Sequence, residues 1–236
     1  MSTLVLVHGM SLGGWCWNRV AGPLRKAGHD VHTPTLTGLG DRSHLLNRKI
    51  NLETHIEDVV NLMKWEDLKD VILVGHSYGG SVVTGVADRE TQRIYKLVYL
   101  DAFIPKNGES VMDLQPPHRV AYYKDVVAEK GKGWLVPPNP AELYGVTDSD
   151  DQAWIDNYSV PHPFSTLDQA LILENQTKER PYSNVFIWAS SFTPSPFVQF
   201  AQKCRSDPVW DYYEIPSGHM VMMSNAEDLV SILDGL

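Results

Sequence analysis

The sequence predicts an α/β fold: a mostly parallel six-stranded sheet with helices on both faces and a small helical cap. Two observations predict it. Short apolar, β-branched runs alternate with longer stretches of helical period, the pattern of a parallel sheet whose strands are joined by helical crossovers. Between Pro105 and Pro181 that alternation breaks down and prolines cluster at 116, 117, 137, 138, 140, 161 and 163, as expected of an insertion between two strands. With 236 residues, 43% of them apolar, the chain suffices for one domain with a complete core. The expected boundaries are 1–104 and 182–236 for the core and 105–181 for the cap.

Taken in order, the predicted strands are Leu4–Val7, Val31–Thr35, Val71–Gly75, Lys96–Leu100, Asn184–Trp188 and Trp210–Ile215. The first lacks a basic leader and is far shorter than a signal or membrane-spanning segment, so it reads as a buried strand. Helices are expected near Trp15–Ala27, Leu52–Glu66, Ser77–Arg89, Pro196–Arg205 and Ala226–Leu233. In the second of these, Ile56, Val59, Val60 and Met63 form a single apolar stripe that should face a core. Within the cap, Tyr122, Tyr123, Trp134, Tyr144, Trp154, Tyr158 and Phe164 are candidates either to roof a pocket or to pack the cap onto the core.

Charge narrows the partners. Lys and Arg number 20 against 29 Asp and Glu, a net charge of −9, which repels phosphate backbones and anionic membranes. No nucleic acid and no membrane partner is expected. Cys16 and Cys204 are the only cysteines and form no C-x-x-C pair, so no metal site is expected from them and a reduced, cytoplasmic protein is; a disulfide between them is left open. The run Asp148, Asp150, Asp151 lacks the glycine and distal glutamate of a calcium loop and reads as solvated surface. Gly38-Leu39-Gly40 lacks the third glycine of a dinucleotide fingerprint.

The segment that carries chemistry is Val71-Ile72-Leu73-Val74-Gly75-His76-Ser77-Tyr78-Gly79-Gly80. An apolar strand runs into G-x-S-x-G and then into a helix, the context in which that motif holds a serine on a sharp, strained turn. Ser77 is therefore the expected nucleophile, and the amide of Tyr78, next in sequence, an oxyanion donor. A second donor is expected from the amide of Met10, in the His8-Gly9-Met10 turn after the first strand. His8 is read as structural.

These residues carry a resemblance. Val5-Leu6-Val7-His8-Gly9, Gly13-Gly14-Trp15-Cys16-Trp17, Ala27-Gly28-His29 and Val74 through Gly80 resemble the α/β-hydrolase branch of plant hydroxynitrile lyases and methyl-ester esterases, with bacterial pyrethroid-type carboxylesterases among its relatives. The resemblance implies an α/β-hydrolase fold with a helical cap, no cofactor, and ester hydrolysis or cyanohydrin cleavage as the chemistry. It also implies that His219, in the loop Pro216-Ser217-Gly218-His219-Met220, is the catalytic base, which fits the order serine, acid, histidine of this fold.

The acid is where the chain departs from the branch. Relatives place it after the next-to-last strand, yet Pro181 through Ser206 contain no carboxylate, and Ser190 and Ser191 stand in its place. Some hydrolases of the fold carry the acid one strand earlier. Asp101 holds that position, closing the strand Leu97–Leu100, and is the expected acid, orienting His219 through Nδ1; without it, Ser77 and His219 would act as a dyad.

Lyases of the branch need a threonine at the position of Gly9 and a lysine at that of Met220, so acyl transfer from a small, largely apolar ester through an acyl-enzyme is favoured. Gly9, Trp134 and Met220 are the expected substrate contacts. Lactone or C–C bond cleavage on the same fold, and a slow-turnover ligand receptor, are the alternatives. A homodimer is left open.

Overall fold

The computed structural model describes residues 1–175 and 181–236. Among them are strands β1 (Thr3–Val7), β2 (Asp30–His32), β3 (Val71–His76), β4 (Ile94–Leu100), β5 (Leu135–Val136), β6 (His162–Pro163), β7 (Ser183–Ala189) and β8 (Trp210–Ile215). Six form one sheet in the order β2-β1-β3-β4-β7-β8, every neighbouring pair parallel, while β5 and β6 make a separate antiparallel pair. All six residues of β3 are buried. A central parallel strand covered on both faces has no polar side to show, hence its unbroken apolar run.

The helices are α1 (Asn18–Lys26), α2 (Leu52–Trp65), α3 (Gly79–Arg89), α4 (Pro117–Glu129), α5 (Ser149–Tyr158), α6 (Ser165–Asp168), α7 (Val198–Ser206), α8 (Val221–Ser224) and α9 (Ala226–Asp234). None is long and apolar enough to cross a membrane. α2 begins at a reciprocal cap in which Asn51 Oδ1 accepts from the Thr54 amide at 3.0 Å and Thr54 Oγ1 from the Asn51 amide at 3.3 Å, satisfying donors the first turn leaves free. Its stripe of Ile56, Val59, Val60 and Met63 is buried as expected.

Three of the differences from the sequence reading have a plain local cause or consequence. The second strand stops at His32 instead of Thr35, because Pro34 has no amide for a ladder and Thr35 Oγ1 accepts from the Gly14 amide at 2.9 Å. A 3₁₀ turn over Gly14–Trp17 precedes α1. The helix after the elbow starts at Gly79 and not Ser77, whose φ of +56° lies in the left-handed region closed to a right-handed helix. Cys16 and Cys204 are both buried and both free thiols.

The acidic run 148–151 is not simply solvated surface. Asp148 caps α5, and Asp151 is buried, receiving both guanidinium nitrogens of Arg19 at 2.6 and 3.0 Å. Arg19 also donates to the Met223 carbonyl at 2.9 Å, so one arginine ties α5 to α1 and to the chain just after His219. Leaving Asp151 buried without its partner is costly. With Arg19 itself half-exposed, Arg19→Met is therefore expected to lower stability by about 1–3 kcal/mol, read as a lower denaturant midpoint; an unchanged midpoint would show that the pair contributes nothing net.

Candidate active site

The parallel register places Gly75 beside Tyr99 and His76 beside Leu100, so Ser77 and Asp101 leave the sheet at the same level, at the carboxyl ends of neighbouring strands. Each turns sharply there. Ser77 has φ +56° and Asp101 φ +42°, left-handed conformations that cost roughly 1–3 kcal/mol each in a side-chain-bearing residue. Backbone bonds hold both in place: the Ser77 amide donates to the Leu100 carbonyl at 3.3 Å and the Asp101 amide to that of Ile187 at 2.8 Å. The elbow also needs its flanking glycines. A Cβ at Gly75 would sit 2.6 Å from the Gly79 carbonyl oxygen, and one at Gly79 2.8 Å from that of His8.

His219 arrives from the loop after β8, its amide donating to the Tyr144 carbonyl at 2.8 Å. Its Nδ1 donates to Asp101 Oδ2 at 2.6 Å, and both side chains are buried. Other rings pack against the imidazole. His76 lies 4.4 Å from it, centroid to centroid, and donates from Nε2 to the His219 carbonyl at 2.9 Å; Phe192 and Phe197 stack on it at 4.9 and 5.1 Å. Burial pushes the His219 imidazole down to about 3, with the charge of Arg119 acting in the same sense. Burial likewise pushes the Asp101 carboxyl well above its usual range, opposed by the Ala189 amide. The neutral imidazole, the form that can accept a proton at Nε2, is thus the resting form.

Ser77, His219, Gly9, Met10, Tyr78 and Met220 all line one cavity. The amides of Met10 and Tyr78 donate to no described residue, which leaves both free for a ligand. Supporting side chains fix those loops. His8 donates from Nδ1 to the Gly9 carbonyl at 2.8 Å and accepts the Leu36 amide at Nε2 at 3.0 Å, the structural role expected of it. The Tyr78 hydroxyl donates to His55 Nδ1 at 2.9 Å, and His55 passes from Nε2 to the Thr37 carbonyl. A Cβ at Gly9 would stand 3.0 Å from Ser77 Cβ and 2.9 Å from His76 Nδ1. The threonine of a lyase could enter there only by displacing the serine or His76.

Trp134 does not join this group. It is absent from the cavity lining, and its ring instead faces the Arg48 guanidinium at 5.3 Å. Trp154 and Tyr158 pack on Trp15; of the cap aromatics, Tyr123 and Tyr144 are the ones that reach the cavity. Met222 and Met223 are buried elsewhere, leaving Met220 alone of the three in the wall. The other acids near the end of the chain are occupied: Asp207 caps the Val209 amide, Asp211 faces Lys96, and Glu214 takes the Tyr212 hydroxyl. Ser190 and Ser191 hold the β7 loop to the carbonyls of Ile215 and Ser217. Sequence reasoning missed Phe192, Phe197, Gln115 and Arg119; none lies in a motif, and tertiary placement alone brings them to the serine.

A six-stranded parallel sheet with a serine on a glycine-flanked turn at its carboxyl edge and a histidine loop after its last strand defines the class of α/β hydrolases. The chain belongs to that class: the profile of the alpha/beta hydrolase family matches residues 4–232. An esterase of Nocardioides sp. (strain SG-4G), described as carbendazim hydrolyzing, is 43% identical over the full length of both chains. Methylesterase 17 of Arabidopsis thaliana is 33% identical over 58% of this chain and 50% of its own. Among solved structures, an extracellular α/β-hydrolase from a Paenibacillus species, which shares homology with tobacco salicylic acid binding protein 2, superposes with a TM-score of 0.82 at 25% identity, covering 99% of this chain and 98% of its own. A pyrethroid hydrolase from Sphingobium faniae shares the fold, with a TM-score of 0.78 at 20% identity and coverage of 99% and 96%.

Proposed function

We propose that the chain hydrolyses carboxylic esters of small molecules by acyl transfer through Ser77, with His219 as general base, Asp101 as its orienting acid and segment 105–181 as the cap over the site. The observation that carries this reading is one cavity lined by Ser77, His219 and two uncommitted amides, with Asp101 bonded to the far nitrogen of the imidazole. In this scheme Ser77 Oγ attacks the ester carbonyl carbon while His219 Nε2 takes the hydroxyl proton. The amides of Met10 and Tyr78 receive the developing oxyanion, each worth roughly 10²–10³ in rate. Collapse expels the alkoxide, which takes the proton back from His219, and water activated by the same imidazole releases the acid. During both steps the imidazolium is paired with Asp101 and faces the rings of Phe192 and Phe197, a contact of about 0.5–2 kcal/mol.

The test is turnover of p-nitrophenyl acetate, and of carbendazim by analogy with the Nocardioides relative, together with stoichiometric labelling of Ser77 by a serine-directed fluorophosphonate. Labelling elsewhere, or none, contradicts the scheme. The acid limb of the pH profile checks the base. His219 must be neutral to act, so activity falls as pH drops through its pKa, and burial has lowered that value. Accordingly kcat/KM should stay level through the ordinary imidazole range near 6.5 and decline only below it. An inflection at or above 6.5 would assign the limb to another group.

A further inference from the structure

Most of the cavity wall is apolar; besides the reacting groups, His76, Tyr123 and Tyr144, two polar side chains come from the start of α4 and the residues before it. Gln115 and Arg119 both line it. Gln115 is buried, 9% exposed, and its Oε1 has no hydrogen-bond partner. The Arg119 guanidinium forms no hydrogen bond or ion pair with any described residue, in contrast to Arg19, Arg42, Arg89 and Arg93, which all hold carboxylates. Asp113, six residues before it, is taken up by the amide and hydroxyl of Ser110 at 2.8 and 2.7 Å. Arg119 is close enough to the reacting centre for its charge to be felt at both His219 and Tyr144.

An unpaired cation in an apolar wall is costly once a ligand excludes water from it, unless the ligand brings an acceptor of its own; the orphaned oxygen of Gln115, itself an acceptor, would instead need a donor. A wholly apolar ester would leave both unsatisfied. A substrate with a carboxylate would let the planar guanidinium bind it in a charge-assisted, two-point contact. The overall charge of −9 makes Arg119 a local exception, so selection at this position acts in the pocket and not through long-range attraction of anions.

Resting on the esterase reading above, we infer that Arg119 forms an anion-binding subsite that selects esters bearing a second, anionic oxygen group, a carboxylate, on the acyl side of the scissile bond. Arg119 is a specificity determinant and takes no part in bond breaking.

The test uses the monomethyl esters of succinic, glutaric, adipic and pimelic acid, each against the methyl alkanoate of the same carbon count. For at least one chain length the carboxylate-bearing ester should have a kcat/KM about tenfold or more above its neutral counterpart, the size expected of a charged hydrogen bond. In Arg119→Met and Arg119→Gln that ratio should collapse towards one or below, carried mainly by KM; in Arg119→Lys it should be partly kept. Absence of a preference at every length in the unaltered enzyme overturns the inference without any variant being needed. So does a preference that persists in the Arg119 variants. Neither result touches the esterase reading, which fails separately if neutral esters are still hydrolysed by Ser77→Ala.

Discussion

Ser77→Ala is expected to lower kcat by about 10⁵–10⁶, and His219→Ala by a similar factor, since nucleophile and base act as one unit and losing either forfeits nearly the whole gain. Substrate affinity should survive, because the cavity wall and the amides of Met10 and Tyr78 are untouched. The structure adds an expectation for stability. The strain of φ +56° would be carried equally by alanine, and no described residue is hydrogen-bonded to the Ser77 hydroxyl, so its loss unpairs no buried polar atom and the unfolding midpoint should move little. His219→Ala is different. It removes the ring that packs against His76, Phe192 and Phe197 and leaves buried Asp101 without its bond, so a measurable loss of stability should accompany the loss of rate. Steady-state kinetics on a chromogenic ester decides the matter: retention of more than a few per cent of activity by Ser77→Ala would remove the basis for a serine nucleophile.

How much of this was legible beforehand depended on how local the determinants are. The elbow could be read because its requirements lie within a few consecutive residues: an apolar strand, two glycines where a Cβ would strike backbone, and a helix start. The strand Trp210–Ile215 was placed to the residue because Gly and Pro punctuation bounds the run closely. Asp101 is named through the resemblance, from hydrolases of the fold that carry the acid one strand earlier, because the loop that usually holds it has only Ser190 and Ser191. The cap resisted for the opposite reason. Whether Tyr144 or Trp134 reaches the serine depends on how α4, α5 and the β5–β6 pair fold over the sheet edge, which no short spacing encodes. Trp134 and Tyr123 look alike in sequence, yet one stacks under Arg48 and the other enters the cavity. Asp151 looked like surface for the same reason; its partner Arg19 is far away in sequence.

Asp101→Asn is expected to reduce kcat by up to about 10⁴ while leaving the fold intact. The argument runs through a single proton. Asp101 Oδ2 accepts from His219 Nδ1 at 2.6 Å, which fixes the tautomer with Nε2 unprotonated and able to take the Ser77 proton. An asparagine can turn its NH₂ towards Nδ1 and so stabilise the opposite tautomer, in which Nε2 carries the hydrogen and cannot act as a base. No neighbour can take over, because Asp207, Asp211 and Glu214 are engaged elsewhere and the 190 loop has only serines. Stability separates this role from a structural one. The folded pKa of Asp101 is raised above its unfolded value by burial. Above the unfolded pKa the ionised carboxyl therefore favours the unfolded chain, and its contribution at neutral pH is destabilising. Removing the charge should leave the unfolding midpoint at pH 7 equal or higher even as activity collapses, whereas Asp207→Asn should change neither. Near-normal turnover in Asp101→Asn, measured on the same chromogenic ester, would mean that His219 is oriented by some other group and that Asp101 closes its strand for structural reasons alone.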